Sequence, residues 1–313
     1  MKELTGLGTA LITPFKADGA VDYDALARLL DTQLTGFVDY IVVLGTTGEA
    51  ATMTESQREE VRTFIRRYVA GRLPLVLGVG GNCTAAVCES LRTIDLSGYA
   101  AILSVCPYYN KPNQEGLYQH FCKVAEASPL PVILYNVPGR TGVNLLPETV
   151  MRIYHAHPDK IIGIKEASGN VAQIKHLIAL NTEHRTQNTE LLSESVCTPS
   201  ATSGRPLGIC QRSGLLVISG DDGIACEIME AGGAGLISVA SNAFPEDFWH
   251  IVHDKDAALQ ARYAEMIRLL FAEGNPVGIK AVLAQKGIIQ NYLRLPLVPA
   301  SKELQAQIQK ELA

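Results

Sequence analysis

Several apolar runs of this chain end in polar groups suited to carbonyl chemistry. The stretch KIIGIKEASGN at residues 160–170 delivers Lys165 and Glu166 at the end of an otherwise greasy segment. GTTGEA sets Thr46 and Thr47 between glycines. CPYYNKP carries Tyr108, Tyr109 and Asn110, LYNVPGRTG carries Tyr135, Asn136 and Arg140, and SGDD closes GLLVISG. Lysine is almost never fully buried without a partner, and burial disfavours the ammonium form of an amine. A neutral amine attacks a carbonyl and forms a Schiff base. The iminium is an electron sink, so the adjacent carbon can lose a proton and become a nucleophile. That is aldolase chemistry with no metal and no cofactor. It needs proton carriers, and Tyr135 with Tyr109 and Thr46 can form a chain of hydroxyls, each of which both donates and accepts. Thr47 and the N–H groups of its glycine-flanked turn can hold a carboxylate. Arg140 presents a planar fork to a second one. Taken singly, a strand-end lysine is usually a surface residue, paired tyrosines are core or interface, and an arginine is an ion-pair partner. Their shared position at the ends of successive apolar runs is what favours a site.

The elements that must position these groups alternate. GTALITPF, DYIVVLG, LPLVLGVG, YAAILSV, PVILYN, KIIGIKE, GLLVISG and GAGLISV read as strands, nearly continuous in apolar residues as strands covered on both faces should be. Between them lie amphipathic helices. Asp22 is placed to cap one with Leu26, Leu29, Leu30 and Leu34 on its apolar face. Thr54 and Gln57 form a capping-box pattern before Val61, Phe64, Ile65 and Tyr68. Val87, Leu91 and Ile94 mark the next, and Leu117, Phe121 and Val124 the one at 114–126. Pro147 suits a first helical turn, residues 170–180 read as helix, and the glycines at 231–235 as a helix stop. This α/β alternation predicts a (β/α)8 TIM barrel over residues 1–243, with a doubly wound open sheet as the rival, and an all-helical C-terminal appendage over 244–313. In a barrel all the polar groups above share one rim, where barrel enzymes hold their sites. Residues 181–213, rich in Ser and Thr, break the rhythm. They read as an irregular surface insertion on the opposite rim.

The bulk composition removes other classes. The chain has 313 residues, 47% hydrophobic and 19% charged, with net charge −5 and no basic block. This gives a large core and nothing for nucleic acid. No apolar run approaches a membrane span, and the start lacks the pattern of a signal peptide. Cysteines at 83, 88, 106, 122, 197, 210 and 226 show no metal spacing and an odd count. They are expected to be reduced, small and partly buried, in a cytoplasmic protein.

The motifs GTTGEAATM, PYYNKPNQEGLYQHF, LYNVPGRTGVN, GIKEASGN, SGDD and GLISVASN resemble, in order and near its spacing, the 4-hydroxy-tetrahydrodipicolinate synthase (dihydrodipicolinate synthase) family of pyruvate-dependent Schiff-base lyases. The likeness runs from the first strand through the C-terminal helices and is broken only at 181–213. It implies that Lys165 binds pyruvate as a Schiff base and that Tyr135, Thr46 and Tyr109 form the proton relay. In that family the Tyr109-type residue is lent by the neighbouring subunit of a tight dimer, and the resemblance implies a homotetramer, a dimer of dimers. Thr47, Gly220 and Ile237 match positions lining the pyruvate site. Arg140 matches the arginine for the carboxylate of L-aspartate 4-semialdehyde. The implied reaction condenses that aldehyde with pyruvate on the route to diaminopimelate and lysine.

Sialate lyases and keto-deoxy sugar acid aldolases share the lysine and the turn but usually lack this arginine, so they form the second expectation. A catalytically silent barrel acting as sensor or scaffold would be expected to lose Lys165 or Tyr135, and both are present. One departure stands out. Lysine-inhibited members carry a histidine and a glutamate in an inter-subunit pocket. Here Glu55 and Ala86 stand at those positions, while Asn82 and Tyr108 are retained. Feedback inhibition by lysine is therefore expected to be weak or absent.

Overall fold

Short runs of β-branched and leucine side chains, each followed by a turn and a capped helix, fold here into a closed ring. The computed structural model describes residues 4–194 and 214–313. Among these, the strands are β1 (Gly6–Ala10), β2 (Tyr40–Val43), β3 (Leu75–Gly78), β4 (Ala101–Val105), β5 (Val132–Asn136), β6 (Ile161–Glu166), β7 (Leu216–Ser219) and β8 (Gly235–Ser238). All pair in parallel in chain order, and β8 returns to β1 through Gly6↔Gly235 to Thr9↔Ser238. That closing ladder excludes the open-sheet rival. The helices are α1 (Tyr23–Gln33), α2 (Glu55–Val69), α3 (Thr84–Thr93), α4 (Gln114–Ala127), the single turn α5 (Pro138–Thr141), α6 (Pro147–Ala156), α7 (Val171–Glu194), α8 (Ala225–Glu230) and α9 (Pro245–His253). Then come α10 (Ala257–Arg262), α11 (Ala264–Phe271), α12 (Val277–Gln285) and α13 (Lys302–Leu312). α9 covers β1 and β8, and α11 packs on both α12 and α13.

The start signals work as their chemistry requires. The Asp22 side chain accepts from Ala25 N, and Thr54 and Gln57 form a reciprocal capping box. Leu26, Leu29, Leu30, Val61, Leu91, Leu117, Phe121 and Val124 are buried between the helices and the outside of the barrel. Phe64 and Tyr68 are only partly buried and form an aromatic row with Tyr23, with ring centroids 4.9 and 5.7 Å apart. A second cluster fills the barrel interior, including Ala10, Val42, Val76, Leu103, Ile133, Tyr135, Ile218 and Ile237. The strands thus alternate between two cores, and the inward set leads up to the site.

The expected insertion begins later than its composition implies. α7 runs on to Glu194, so residues 181–194 are helical rather than irregular. Thr182 Oγ1 donates to Ile178 O at 2.9 Å, so a residue that reads as loop-forming makes its hydrogen bond within the helix. Asn181 ties the helix to the residue before β7, donating to Leu215 O and accepting from Leu215 N, both at 2.8 Å. The remainder of the expected insertion, 195–213, lies outside the described residues, as do Cys197 and Cys210. Cys83, Cys88, Cys106, Cys122 and Cys226 are free thiols, all but Cys83 buried. No described helix is long and apolar enough to cross a membrane.

Candidate active site

Lys165 reaches the barrel interior because β6 is not regular. The β5–β6 register shifts by one residue between Val132 and Ile133. Ile162 below the shift packs inside, Ile164 above it packs outside, and Lys165 turns inward beside its register partner Tyr135. The amine lies 4.6 Å from the centre of the Tyr135 ring, and both residues are buried, each 6% exposed. The strand ends stay fixed beyond them: Ala167 N donates to Asn136 O at 2.9 Å and Gly220 N to Glu166 O at 2.7 Å. Glu166 faces the other way, fully buried. It accepts from Ser168 N (2.7 Å), Asn136 Nδ2 (2.8 Å) and Gln173 Nε2 (3.2 Å). One carboxylate thereby binds the ends of β5 and β6 to α7, and the lysine next to it is held by a rigid neighbour.

Gly220 clears the space that Lys165 occupies. A Cβ at this position would lie 2.8 Å from Lys165 Cε, 3.1 Å from its Cγ and 2.6 Å from Ala167 Cβ. Gly220→Ala is therefore expected to displace the amine and lower kcat/KM by about a hundredfold, because misplacement near 1 Å has about that effect. Borohydride reduction in the presence of pyruvate, on the folded variant, checks it. Ile237, fully buried, belongs to the same interior cluster as Tyr135.

The GTTGE segment makes a tight 3-10 turn over Thr46–Gly48 after Gly45, and Glu49 leaves it with a left-handed φ of 53°. Thr13 Oγ1 holds the turn from β1's side by donating to Gly48 O at 2.8 Å. Thr46 is half-buried, while Thr47 is 2% exposed and its hydroxyl accepts from Asn275 Nδ2 at 2.8 Å. Arg140 sits on α5, which Pro138 starts, and its Nη2 donates to Asn275 O at 3.0 Å. Thr47 and Arg140 thus meet through one residue of the C-terminal region. Tyr109 stands apart. The loop after β4 gives it a φ of 74° and leaves it 85% exposed, while Tyr108 is 43% exposed.

A barrel-end lysine, a tight threonine turn and an arginine on one rim invite comparison with known proteins. The model of the Dihydrodipicolinate synthetase family matches residues 3–187 and 207–313. The chain belongs to that family. It is 45% identical over 303 residues to a 4-hydroxy-tetrahydrodipicolinate synthase of Parabacteroides distasonis, covering 95% of this chain and 92% of that one. The corresponding protein of Phocaeicola vulgatus is 45% identical over 306 residues, with the same coverage. Among solved structures, the Thermotoga maritima dihydrodipicolinate synthase superposes with a TM-score of 0.85 at 36% identity, covering 98% of this chain and 97% of that one. An Acinetobacter baumannii dihydrodipicolinate synthase complexed with pyruvate gives 0.84 at 35% identity, covering 99% and 98%.

Within this dihydrodipicolinate synthetase frame, several groups around the site escaped the sequence reading. Asn275 is one. Lys280 is another: fully buried on α12, it pairs with Glu49, donates to Tyr292 O at 3.0 Å and lies 4.2 Å from the Phe15 ring centre. Burial pulls its amine down to about 8, outweighing the attraction of Glu49. The available signal was a lysine inside the apolar run VGIKAVLA, the same kind of signal that marked Lys165. Arg294 closes the cluster, donating from its backbone to Glu49 Oε2 at 3.3 Å and from its side chain to Gly19 O, Thr52 O and Gln57 Oε1.

In SGDD, Asp221 caps the following turn by accepting from Gly223 N at 2.9 Å. Asp222 is buried and accepts from Ser238 Oγ and, at 3.1 Å, from Val239 N, fixing the end of β8. Desolvation raises its carboxyl from 3.8 to about 6 against the pull of those hydrogen bonds. Across that window the folded chain binds a proton the unfolded chain has released, so this group's contribution to stability falls as pH rises. Asp222→Asn removes the titration. Between about pH 4 and pH 6 its thermal stability is expected to fall less than that of the wild type, a difference of up to about 3 kcal/mol.

Proposed function

We propose that the chain is a 4-hydroxy-tetrahydrodipicolinate synthase that condenses pyruvate with L-aspartate 4-semialdehyde through a Schiff base on Lys165. The observation that carries this is the buried amine of Lys165, turned into the barrel beside Tyr135 and given room by Gly220. Lys165 Nζ attacks the keto carbon of pyruvate, and the carbinolamine loses water as Tyr135 moves a proton. The iminium draws electrons from the methyl group, which loses a proton. The resulting enamine carbon attacks the aldehyde, whose oxygen takes up a proton. The amino group of the aldehyde substrate then adds to the iminium carbon and displaces Lys165 Nζ, closing the ring and freeing the lysine. Thr47, Gly220 and Ile237 frame the pyruvate, and Arg140 receives the carboxylate of the aldehyde substrate. No step draws on a metal or a cofactor.

Tyr135, Thr46 and Tyr109 act as the proton relay, with Tyr109 contributed by a second copy of the chain. Its 85% exposure and left-handed backbone support this, since such a side chain has little to hold it within its own subunit. The assembly is a dimer of dimers in the cytoplasm. Arg140 favours the synthase over a sialate or keto-deoxy sugar acid aldolase, and the relatives' names agree with it. Borohydride reduction with pyruvate followed by mass mapping tests the proposal. An adduct on Lys165 supports it, and folded protein without one contradicts it. Cleavage of N-acetylneuraminate to pyruvate and its amino sugar, without turnover of pyruvate plus the aldehyde, would favour the second reading.

Lysine is a weak effector at most. Glu55 is paired with Arg58 at 2.8 Å and Arg62 at 2.7 Å, and Ala86 offers an ammonium no charged partner. Activity at millimolar lysine is expected to stay close to that without it, and strong inhibition would contradict this.

A further inference from the structure

The turn that holds pyruvate's carboxylate is controlled from outside the barrel. Thr47 is buried, and a hydroxyl has one proton but can accept as well. Its oxygen already accepts from Asn275 Nδ2 at 2.8 Å, so its proton is left to point elsewhere. Asn275 is itself buried, 8% exposed, and its Oδ1 has no hydrogen-bond partner. Orphaned buried acceptors are rare and call for an explanation. Here the amide's donor end is turned to Thr47, although a hydroxyl would equally well donate to the acceptor end.

We propose that Asn275 is a positioning residue that fixes Thr47 as a hydrogen-bond donor to the pyruvate carboxylate. The inference rests on the pyruvate reading above and deepens it. A carboxylate ligand accepts only, so a threonine whose proton is committed to another acceptor would meet it oxygen to oxygen. An amide nitrogen behind the hydroxyl removes that option. The backbone carbonyl of Asn275 has a separate task, accepting from Arg140 Nη2 at 3.0 Å. Substitution of the side chain leaves that carbonyl in place. Side-chain variants should therefore weaken pyruvate binding and leave the aldehyde substrate's KM nearly unchanged, a split that general loosening of the C-terminal region would not give.

The test is half-saturation of borohydride trapping by pyruvate in Asn275→Ala, Thr47→Val, their double variant and Asn275→Asp. Asn275→Ala is expected to raise half-saturation about tenfold, the value of one buried hydrogen bond. In the Thr47→Val background it should add almost nothing, because the residue acts through that hydroxyl. Asn275→Asp keeps the size and shape of the side chain, so it carries the test should the alanine variant melt early. It is expected to be worse than alanine, since a carboxylate takes the hydroxyl proton and repels the ligand. Equal effects of Asn275→Ala in both backgrounds, or an Asn275→Asp protein that binds pyruvate as the wild type does, would overturn the inference. A wild-type protein that forms no adduct would instead overturn the proposed function.

Discussion

Lys165→Arg is expected to yield a folded protein that forms no reducible pyruvate adduct and turns over slower by about a thousandfold or more. The guanidinium cannot give up its proton in a protein, so the variant keeps a positive charge near the same place and loses the nucleophile. That separates covalent catalysis from simple charge attraction to pyruvate, which arginine would supply as well as lysine. The replacement is also larger, and the space next to Gly220 is already filled by the lysine stem. A melting curve must therefore accompany the assay. Tyr135→Phe in the same chain should add little to the loss, because a proton carrier has no work without the amine it serves. Intact turnover in Lys165→Arg would remove the Schiff base from the mechanism.

Much of this site could be read from the sequence because its parts follow local rules. Thr47, Tyr135, Lys165 and Gly220 each sit at or just past the end of an apolar run, and parallel strands in a closed barrel bring such ends to one rim. What could not be read depends on packing across long sequence separations. The inward turn of Lys165 needs the register shift beside Val132, which no alternation pattern in KIIGIKE announces. Asn275 lies 228 residues from Thr47, in a helix-to-helix connection that reads only as a break. The length of α7 was hidden for the opposite reason: Thr182 and its neighbours have loop-like composition, yet the backbone continues as helix to Glu194. Tyr109 was legible as a polar strand end, but its position in this chain is outward.

The C-terminal helices also hold the Thr46–Gly48 turn through a buried charge pair, and breaking it should show how strongly. Lys280→Met fills most of the lysine volume but leaves Glu49 buried. Of the groups that paired with it, the Arg294 N–H at 3.3 Å remains. Removing one partner of such a pair typically costs about 3–5 kcal/mol, because the remaining charge is uncompensated. The urea midpoint of the single variant should fall accordingly. Lys280→Met with Glu49→Gln removes both charges. It is expected to recover most of the loss, since the desolvation of a buried pair nearly cancels its attraction. The downward displacement of the Lys280 amine to about 8 has the same origin: burial already outweighs the carboxylate. A pair of so little net stability still has a use at this position. Glu49 leaves the Thr46–Gly48 turn in a left-handed conformation, and the Lys280 ammonium fixes where its carboxylate goes. The double variant should therefore be stable and yet bind pyruvate less tightly than the wild type. Full recovery of both properties would show that the turn holds its shape without help from α12.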